Sequence, residues 1–259
     1  MLCRTEQLNG TLGGGRVEGT VSFTAAIKGN GIKFPLFAYD PKEPGVETVE
    51  IEANGDEIRT TVHFVAVASN REAVALATKV NTDGLDRIAF HHAMLIDHAR
   101  VADVLLTDVN PAPGVLQCRA GFFAIVGHEA KLVHGVTPDR VKALLEQATP
   151  RGKVYYGLVR SARLATSSVE EFMVLYQVVL MLIGDRQEDV DRFIVAQEPG
   201  VPQMPSPHRP GIMETVYTRL RNELAHKRTG VNLDTTRAEM RVRVDGLRAL
   251  VKLAVEQFG

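Results

Sequence analysis

Hydrophobic and polar positions alternate along two segments in the first half of the chain. Residues 17–27 have the sequence VEGTVSFTAAI and residues 57–68 have the sequence EIRTTVHFVAVA. Alternation with a period of two places successive side chains on opposite faces of a strand, and β-branched residues favour that structure. The pairs Asn30-Gly31 and Asn54-Gly55 are typical of tight hairpin turns. The pattern therefore predicts antiparallel strands joined by hairpins.

The spacing of apolar positions then changes to the three-to-four-residue period of a helix. Residues 71–80 follow Ser69 and Asn70, either of which is suited to cap a helix, and residues 86–100 predict a second helix. After a break at residues 110–114, residues 115–126 predict another strand. Thr137-Pro138 predicts the start of a further helix, because proline is favoured at the first helical position.

The pattern is helical after residue 150, although residues 154–159 (VYYGLV) alone suit either a helix or a strand. Two capping boxes, Ser-x-x-Glu at 168–171 and Thr-x-x-Glu at 236–239, each precede an apolar run. Helix stops and starts divide the remainder into a helix to Gly184, a helix at 187–197, a proline-rich loop at 198–210, a helix at 211–226 and a last helix. The sequence thus predicts an α+β protein, with a mixed β-rich domain at 1–150 and an all-helical bundle at 151–259.

Composition agrees with a folded protein of two domains. The chain has 259 residues, of which 45% are hydrophobic and 24% charged. Its formal net charge of −1 excludes a strong overall attraction to nucleic acid, so RNA binding would need a local basic patch. Cys3 and Cys118 do not form a CxxC pair. With no signal peptide and no apolar run of about 20 residues, we expect a cytoplasmic protein that does not enter a membrane.

One motif carries chemistry. Residues 217–228 have the sequence YTRLRNELAHKR, in which Arg221, Asn222 and His226 form R-N-x-x-x-H. This resembles the signature of the HEPN superfamily, an arginine followed four to six residues later by a histidine near the end of the penultimate long helix. The proline-rich loop before the motif and the β-rich first half resemble the ApeA-like subfamily. A similar arrangement is found in proteins labelled methylamine utilization protein MauJ. The resemblance covers residues 151–259.

The resemblance implies metal-independent cleavage of RNA by a homodimer, without a cofactor. His226 would transfer protons, since the ordinary pKa of imidazole suits both acid and base roles near neutrality. Arg221 would stabilise the phosphate, and Asn222 would orient the phosphate or the imidazole. The flanking Arg219, Lys227 and Arg228 would form a basic rim for the RNA backbone.

Helix geometry sets a condition on this site. Five residues of a straight helix turn through about 500°, so Arg221 and His226 point about 140° apart. They converge if the helix ends near Leu224 or Ala225, or if two copies pair across a two-fold axis. The helix at 169–183 is apolar nearly all round, and we expect it to supply the dimer interface.

A non-catalytic interpretation stays open. Arg221 could pair with Glu223 or Glu214, and His226 could cap the end of its helix, where a cation is favoured. The helical domain would then be a nucleotide-binding or assembly module, including an accessory protein of a metabolic operon. A metal site is a further alternative at His91, His92 and His98, but their spacing matches no known ligand pattern, and we expect ordinary surface or capping histidines.

Overall fold

A computed structural model describes residues 16–109, 120–121, 132–147, 152–207, 209–226 and 230–259. The first half forms a curled eight-stranded sheet in the order β7-β6-β1-β4-β3-β2-β8, with β5 beside β6 on the same edge of β1. All pairings are antiparallel except that of β2 with β8. The strands are β1 (Val17–Lys28), β2 (Asn30–Tyr39), β3 (Val46–Gly55), β4 (Glu57–Val67), β5 (Leu95–Ile96), β6 (Arg100–Asp108), β7 (Ala120–Gly121) and β8 (Leu132–Gly135).

The two Asn-Gly pairs have different outcomes. The hairpin at Asn54-Gly55 is confirmed, since Gly55 adopts a φ of 82° and connects two paired strands, β3 and β4. The hairpin at Asn30-Gly31 is wrong: Asn30 already belongs to β2, and the chain turns at Gly29, where φ is 78°. β1 pairs with β4 on one edge and with β5 and β6 on the other. β2 therefore does not pair with β1, and it lies beyond β4 and β3 in the sheet order.

A single helix, α1 (Asn70–His91), replaces the two helices predicted for residues 71–100. Ser69 caps it by accepting a hydrogen bond from the Glu72 amide. Gly84 lies within this helix, where a Cβ would be only 3.1 Å from the Tyr39 hydroxyl, so the glycine permits close packing against β2. The segment after α1 enters the sheet as β5 and β6, which corrects the second predicted helix.

The connection between the two halves is described in part. Helix α2 (Pro138–Glu146) begins after Thr137 with proline at its start, as predicted, and buries Val141 and Leu145. Of the strand predicted at 115–126, only β7 lies within the described residues, and the predicted break at 110–114 lies outside them.

The second half is helical, as predicted, and α5 has the predicted bounds. The helices are α3 (Gly152–Arg163), α4 (Ser168–Ile183), α5 (Gln187–Gln197), α6 (Val216–Ala225) and α7 (Leu233–Phe258). Gly184 directly follows the last residue of α4, as predicted. The N-cap of the helix is Ser167, whereas the predicted capping box began at Ser168. Helix α7 begins before its predicted capping box, because the Asn232 side chain accepts hydrogen bonds from two amides of the first turn. Among the described helices, none has both the length and the apolar composition needed to cross a bilayer.

Helix α6 is shorter than predicted at its start. Residues predicted as its first turn instead form a two-stranded ribbon, in which β10 (Met213–Thr215) pairs with β9 (Gln203–Pro205). This corrects the prediction that 198–210 is only a loop, because residues 203–205 form a strand.

Two hydrophobic cores lie on either side of the predicted boundary at residue 150. One fills the space between the sheet, α1 and α2, and the other lies among α3 to α7. Phe90, at the end of α1, belongs to the second core. The buried Arg160 of α3 reaches the other way: it donates hydrogen bonds to the carbonyl oxygens of Ile96 and Asp97 and forms an ion pair with Asp86. Helix α1 therefore contributes to both halves.

Candidate functional site

A row of polar side chains joins α5 to α6. Gln187 and Asp191 lie four residues apart on α5, and they meet Asn222 and Thr218, which lie four residues apart on α6. Residues four apart share one face of a helix, so both contacts fall along one line. We name these four side chains, together with Thr215, the polar seam, with an inner end at Asp191 and an outer end at Gln187.

The inner end is built around a buried carboxylate. Oδ1 of Asp191 accepts hydrogen bonds from the Thr215 amide (3.0 Å), the Thr215 hydroxyl (2.7 Å) and the Thr218 hydroxyl (2.6 Å). Since Thr218 donates its one hydrogen to Asp191, the Tyr176 hydroxyl at 2.8 Å donates to Thr218. Burial raises the pKa of Asp191, and the hydrogen bonds from the two threonines oppose that shift. Thr215 is also the N-cap of α6, so this carboxylate fixes the first turn of the motif helix.

The outer end is a pair of amides. The Gln187 side-chain nitrogen donates to Oδ1 of Asn222 at 2.8 Å, and the Asn222 nitrogen donates back to Oε1 of Gln187 at 3.3 Å. Asn222 is buried, with 3% of its surface exposed. Its side chain is therefore held by α5 and supports its neighbour Arg221.

The end of α6 brings the arginine and histidine of the motif together. The helix ends at Ala225, and His226 is the extended residue that follows it, with its amide bonded to the Asn222 carbonyl oxygen at 2.9 Å. The turn places Nε2 of His226 3.5 Å from Nη1 of Arg221. This is the first of the two predicted routes to convergence, achieved within one chain. His226 also stands at the helix C-terminus, as the non-catalytic interpretation expects.

The guanidinium of Arg221 has a defined direction, and it forms no ion pair with the residues that the structure describes. Its Nη1 donates to Oδ1 of Asn222 at 3.0 Å. Because a guanidinium only donates, a hydrogen bond to His226 needs a lone pair on Nε2, which is the form of imidazole that can accept a proton. Within the described parts of the chain, no carboxylate lies within ion-pair distance of Arg221.

Arg219 lies on another face of the same helix. Two residues turn a helix through about 200°, so Arg219 points away from Arg221 towards α7. It forms ion pairs with Glu223 (2.8 Å) and Glu239 (2.5 Å), and Glu223 also accepts a hydrogen bond from Thr236. The structure therefore does not bring Arg219 into the site, and the open pairing of Arg221 with Glu223 is wrong because Arg219 takes that carboxylate.

The remaining predicted rim residues, Lys227 and Arg228, lie outside the described residues. The other open partner of Arg221, Glu214, is buried and accepts a hydrogen bond from Ser206. The predicted site is thus represented by Arg221, Asn222 and His226, which the structure brings together.

A second arginine reaches the site and was not predicted. Arg209 lies in the loop of the β9–β10 ribbon, where hydrogen bonds from Ser206 to Ile212 and from Ile212 to Arg209 close the turn. Its Nη2 donates to Oε1 of Gln187 at 2.9 Å, and its Nη1 pairs with Glu188 at 2.7 Å. The only signal in the sequence was a basic residue between prolines just before the motif helix, in a stretch assigned to loop.

His91, the last residue of α1, and His92, which follows it, are both partly buried. His91 packs against the rings of Phe90 and Tyr156, and burial lowers the pKa of His91 and of His92. Across the described ranges, no three side chains of His, Cys, Asp or Glu are grouped as a metal ion would require.

Comparison of the chain with protein-family models, with curated proteins and with solved structures finds no match. The resemblance to HEPN proteins stays a prediction carried by the R-N-x-x-x-H motif and its helical setting, as does the weaker resemblance to proteins labelled MauJ.

Proposed function

We propose that the chain cleaves RNA without a metal ion, at the site formed by Arg221, Asn222 and His226. The observation that carries the proposal is the 3.5 Å approach of the Arg221 guanidinium to the His226 imidazole at the end of α6. The pair combines a permanent cation, suited to phosphate oxygens, with a proton carrier suited to neutral pH. His226 is exposed to solvent, so a strand can reach it.

The reaction needs one proton to be removed and one to be supplied. The 2′-hydroxyl oxygen attacks the adjacent phosphorus, the bond to the 5′-oxygen breaks, and a cyclic phosphate and a 5′-hydroxyl result. Neutral His226 accepts the proton of the attacking hydroxyl at Nε2. Arg221 stabilises the charge that develops on the phosphate, which is commonly the larger catalytic contribution. Asn222, held by Gln187, keeps the guanidinium in place.

A second copy of the chain would supply the acid for the leaving oxygen. The His226 imidazole of one copy then acts as the base, while the protonated His226 imidazole of the other copy acts as the acid. Two apolar side chains on the outer face of α4, Val174 and Met181, are 38% and 49% exposed and suit a contact between copies. The homodimer is part of the proposal.

Degradation of a single-stranded RNA in EDTA tests the proposal. We expect His226→Ala and Arg221→Ala each to lower the cleavage rate by about 10²–10⁴-fold. Arg237→Ala is the matched control, since it removes an exposed arginine paired with Asp234 at the surface of the same half. Full activity in either site variant, or loss of wild-type activity in EDTA, would contradict the proposal.

One observation favours a second function, a nucleotide-binding module. Two arginines, Arg209 and Arg221, each contact one member of the amide pair, whereas His226 is the one imidazole among the described residues there. Anion binding needs only the arginines. Calorimetric binding of a nucleotide with no product formed, unchanged in His226→Ala and lost in Arg221→Ala, would establish this alternative.

A further inference from the structure

The amide pair separates two guanidinium groups. Oδ1 of Asn222 accepts hydrogen bonds from Gln187 and from Arg221, and Oε1 of Gln187 accepts from Asn222 and from Arg209. A carbonyl oxygen has two lone pairs, so each amide oxygen holds one hydrogen bond of the pair and one arginine. The amide pair therefore links the two guanidinium groups through hydrogen bonds.

Both arginines keep donors for a ligand. A guanidinium has five N–H groups, and among the described residues Arg209 uses one for Gln187 and one for Glu188. The ion pair with Glu188 is at the surface, where the side chains are 41% and 49% exposed. Ion pairs exposed to solvent contribute little to stability, so an incoming phosphate can displace Glu188 at little cost.

We propose that Arg209 binds a second phosphate of the substrate strand, next to the phosphate held by Arg221 and His226. The substrate class is then a single-stranded oligoribonucleotide that spans at least two consecutive phosphates. Its identity as RNA rests on the proposed function, whereas the second phosphate site rests on the position of Arg209. Gln187 is the positioning residue, because it accepts a hydrogen bond from Arg209 and donates one to Asn222, which in turn holds Arg221.

The spacing favours a strand over a nucleoside diphosphate. The phosphates of a diphosphate share a bridging oxygen, whereas successive phosphates of a strand are separated by a sugar. The two guanidinium groups bind different amide oxygens, Oε1 of Gln187 and Oδ1 of Asn222. We therefore expect two phosphates separated by a sugar to fit one on each arginine better than two phosphates that share a bridging oxygen.

Two short non-cleavable probes test the inference. A 2′-O-methyl dinucleoside monophosphate has one phosphate and the corresponding trinucleoside diphosphate has two. We expect wild type to bind the longer probe about tenfold more tightly, since one hydrogen-bonded charge contact contributes about 1.4 kcal/mol. Arg209→Gln should reduce that preference to the statistical advantage of two phosphates over one, and Glu188→Gln should increase it.

Arg192→Gln is the matched control, because Arg192 is an exposed arginine of α5 that pairs with Asp189 and does not contact the amide pair. It should leave the preference unchanged. With a longer single-stranded oligonucleotide, the slope of log affinity against log salt should fall by about 0.7 in Arg209→Gln, the value for one lost phosphate contact. Should Arg209→Gln lower the melting temperature, Arg209→Lys keeps the charge and should keep part of the preference.

Three outcomes would overturn the inference: no preference in wild type, a preference that survives Arg209→Gln, or tighter binding of a nucleoside diphosphate than of the longer probe. The proposed chemistry fails separately. If His226→Ala cleaves RNA normally while the preference follows Arg209, the second phosphate site stands and the catalytic proposal does not.

Discussion

The two ends of the polar seam use the same kind of contact, from α5 to α6, with different results. At the inner end, one oxygen of Asp191 collects three donors, and every participant is buried. At the outer end, the neutral amides of Gln187 and Asn222 carry an arginine on each side, next to the exposed His226. A carboxylate surrounded by donors fixes a helix, whereas a neutral pair orients cations without neutralising them.

The inner end predicts the largest change in stability. Asp191→Ala leaves the buried donors of Thr215 and Thr218 without their acceptor, and we expect the free energy of unfolding to fall by about 3 kcal/mol. Asp191→Asn keeps an acceptor oxygen and should lose about 1 kcal/mol. Urea denaturation at pH 7 measures both. A loss below about 1 kcal/mol for Asp191→Ala would mean that the inner end does not hold α6.

The α7 side of the motif helix predicts a smaller loss of stability with no loss of chemistry. Arg219→Ala leaves Glu223 and Glu239 facing each other without their cation, and Glu223 is only 11% exposed. We expect the free energy of unfolding to fall by about 2 kcal/mol. Cleavage at a temperature where the variant is folded should equal that of wild type. A large drop in the cleavage rate of the folded variant would show that Arg219 takes part in the reaction.

The outer end predicts the opposite division between stability and activity. Gln187→Leu removes one amide of the pair, so we expect a loss of about 1 kcal/mol in unfolding free energy. It also frees the arginines that the pair orients, and the cleavage rate constant should fall about tenfold. Gln197→Leu, at the exposed last turn of α5, is the matched control. Equal rates for the two variants would show that the amide pair orients nothing.

The smallest effect is a dependence on pH. Burial raises the pKa of Asp191 in the folded state above its ordinary value of 3.8. At a pH between 3.8 and the folded-state pKa, Asp191 therefore binds a proton in the folded state but not in the unfolded state. Wild type should therefore gain stability relative to Asp191→Asn as the pH falls from 7 towards 4, and lose that gain as the pH rises through the folded pKa. Urea denaturation across this range measures the difference. A difference that is flat, or that changes in the other direction, contradicts the burial effect.

Local signals predicted what depends on neighbours in sequence. The bounds of α5 and the proline start of α2 follow from apolar spacing and capping chemistry. The meeting of Arg221 with His226 was predicted on the condition that the helix ends near Ala225, which the structure satisfies. These features need no knowledge of distant contacts.

Other features depend on which elements pack together, and the sequence could not reveal them. Arg219 and Arg221 are the same residue type two positions apart, and only the positions of α5 and α7 distinguish their roles. Arg209 reaches the site through two strands of three residues each, too short to show alternation. The Asn30-Gly31 pair indicated a turn near the end of β1, but the pairing of β2 with β3 and β8 depends on contacts across the whole sheet.

Phe90 and Arg160 have a consequence for how the chain unfolds. Phe90 of α1 packs in the core of the helical half, and Arg160 of α3 donates hydrogen bonds to carbonyl oxygens of the first half. Unfolding of either half would therefore remove packing from the helical core and leave the Arg160 guanidinium without its carbonyl partners. We expect a single cooperative transition on heating.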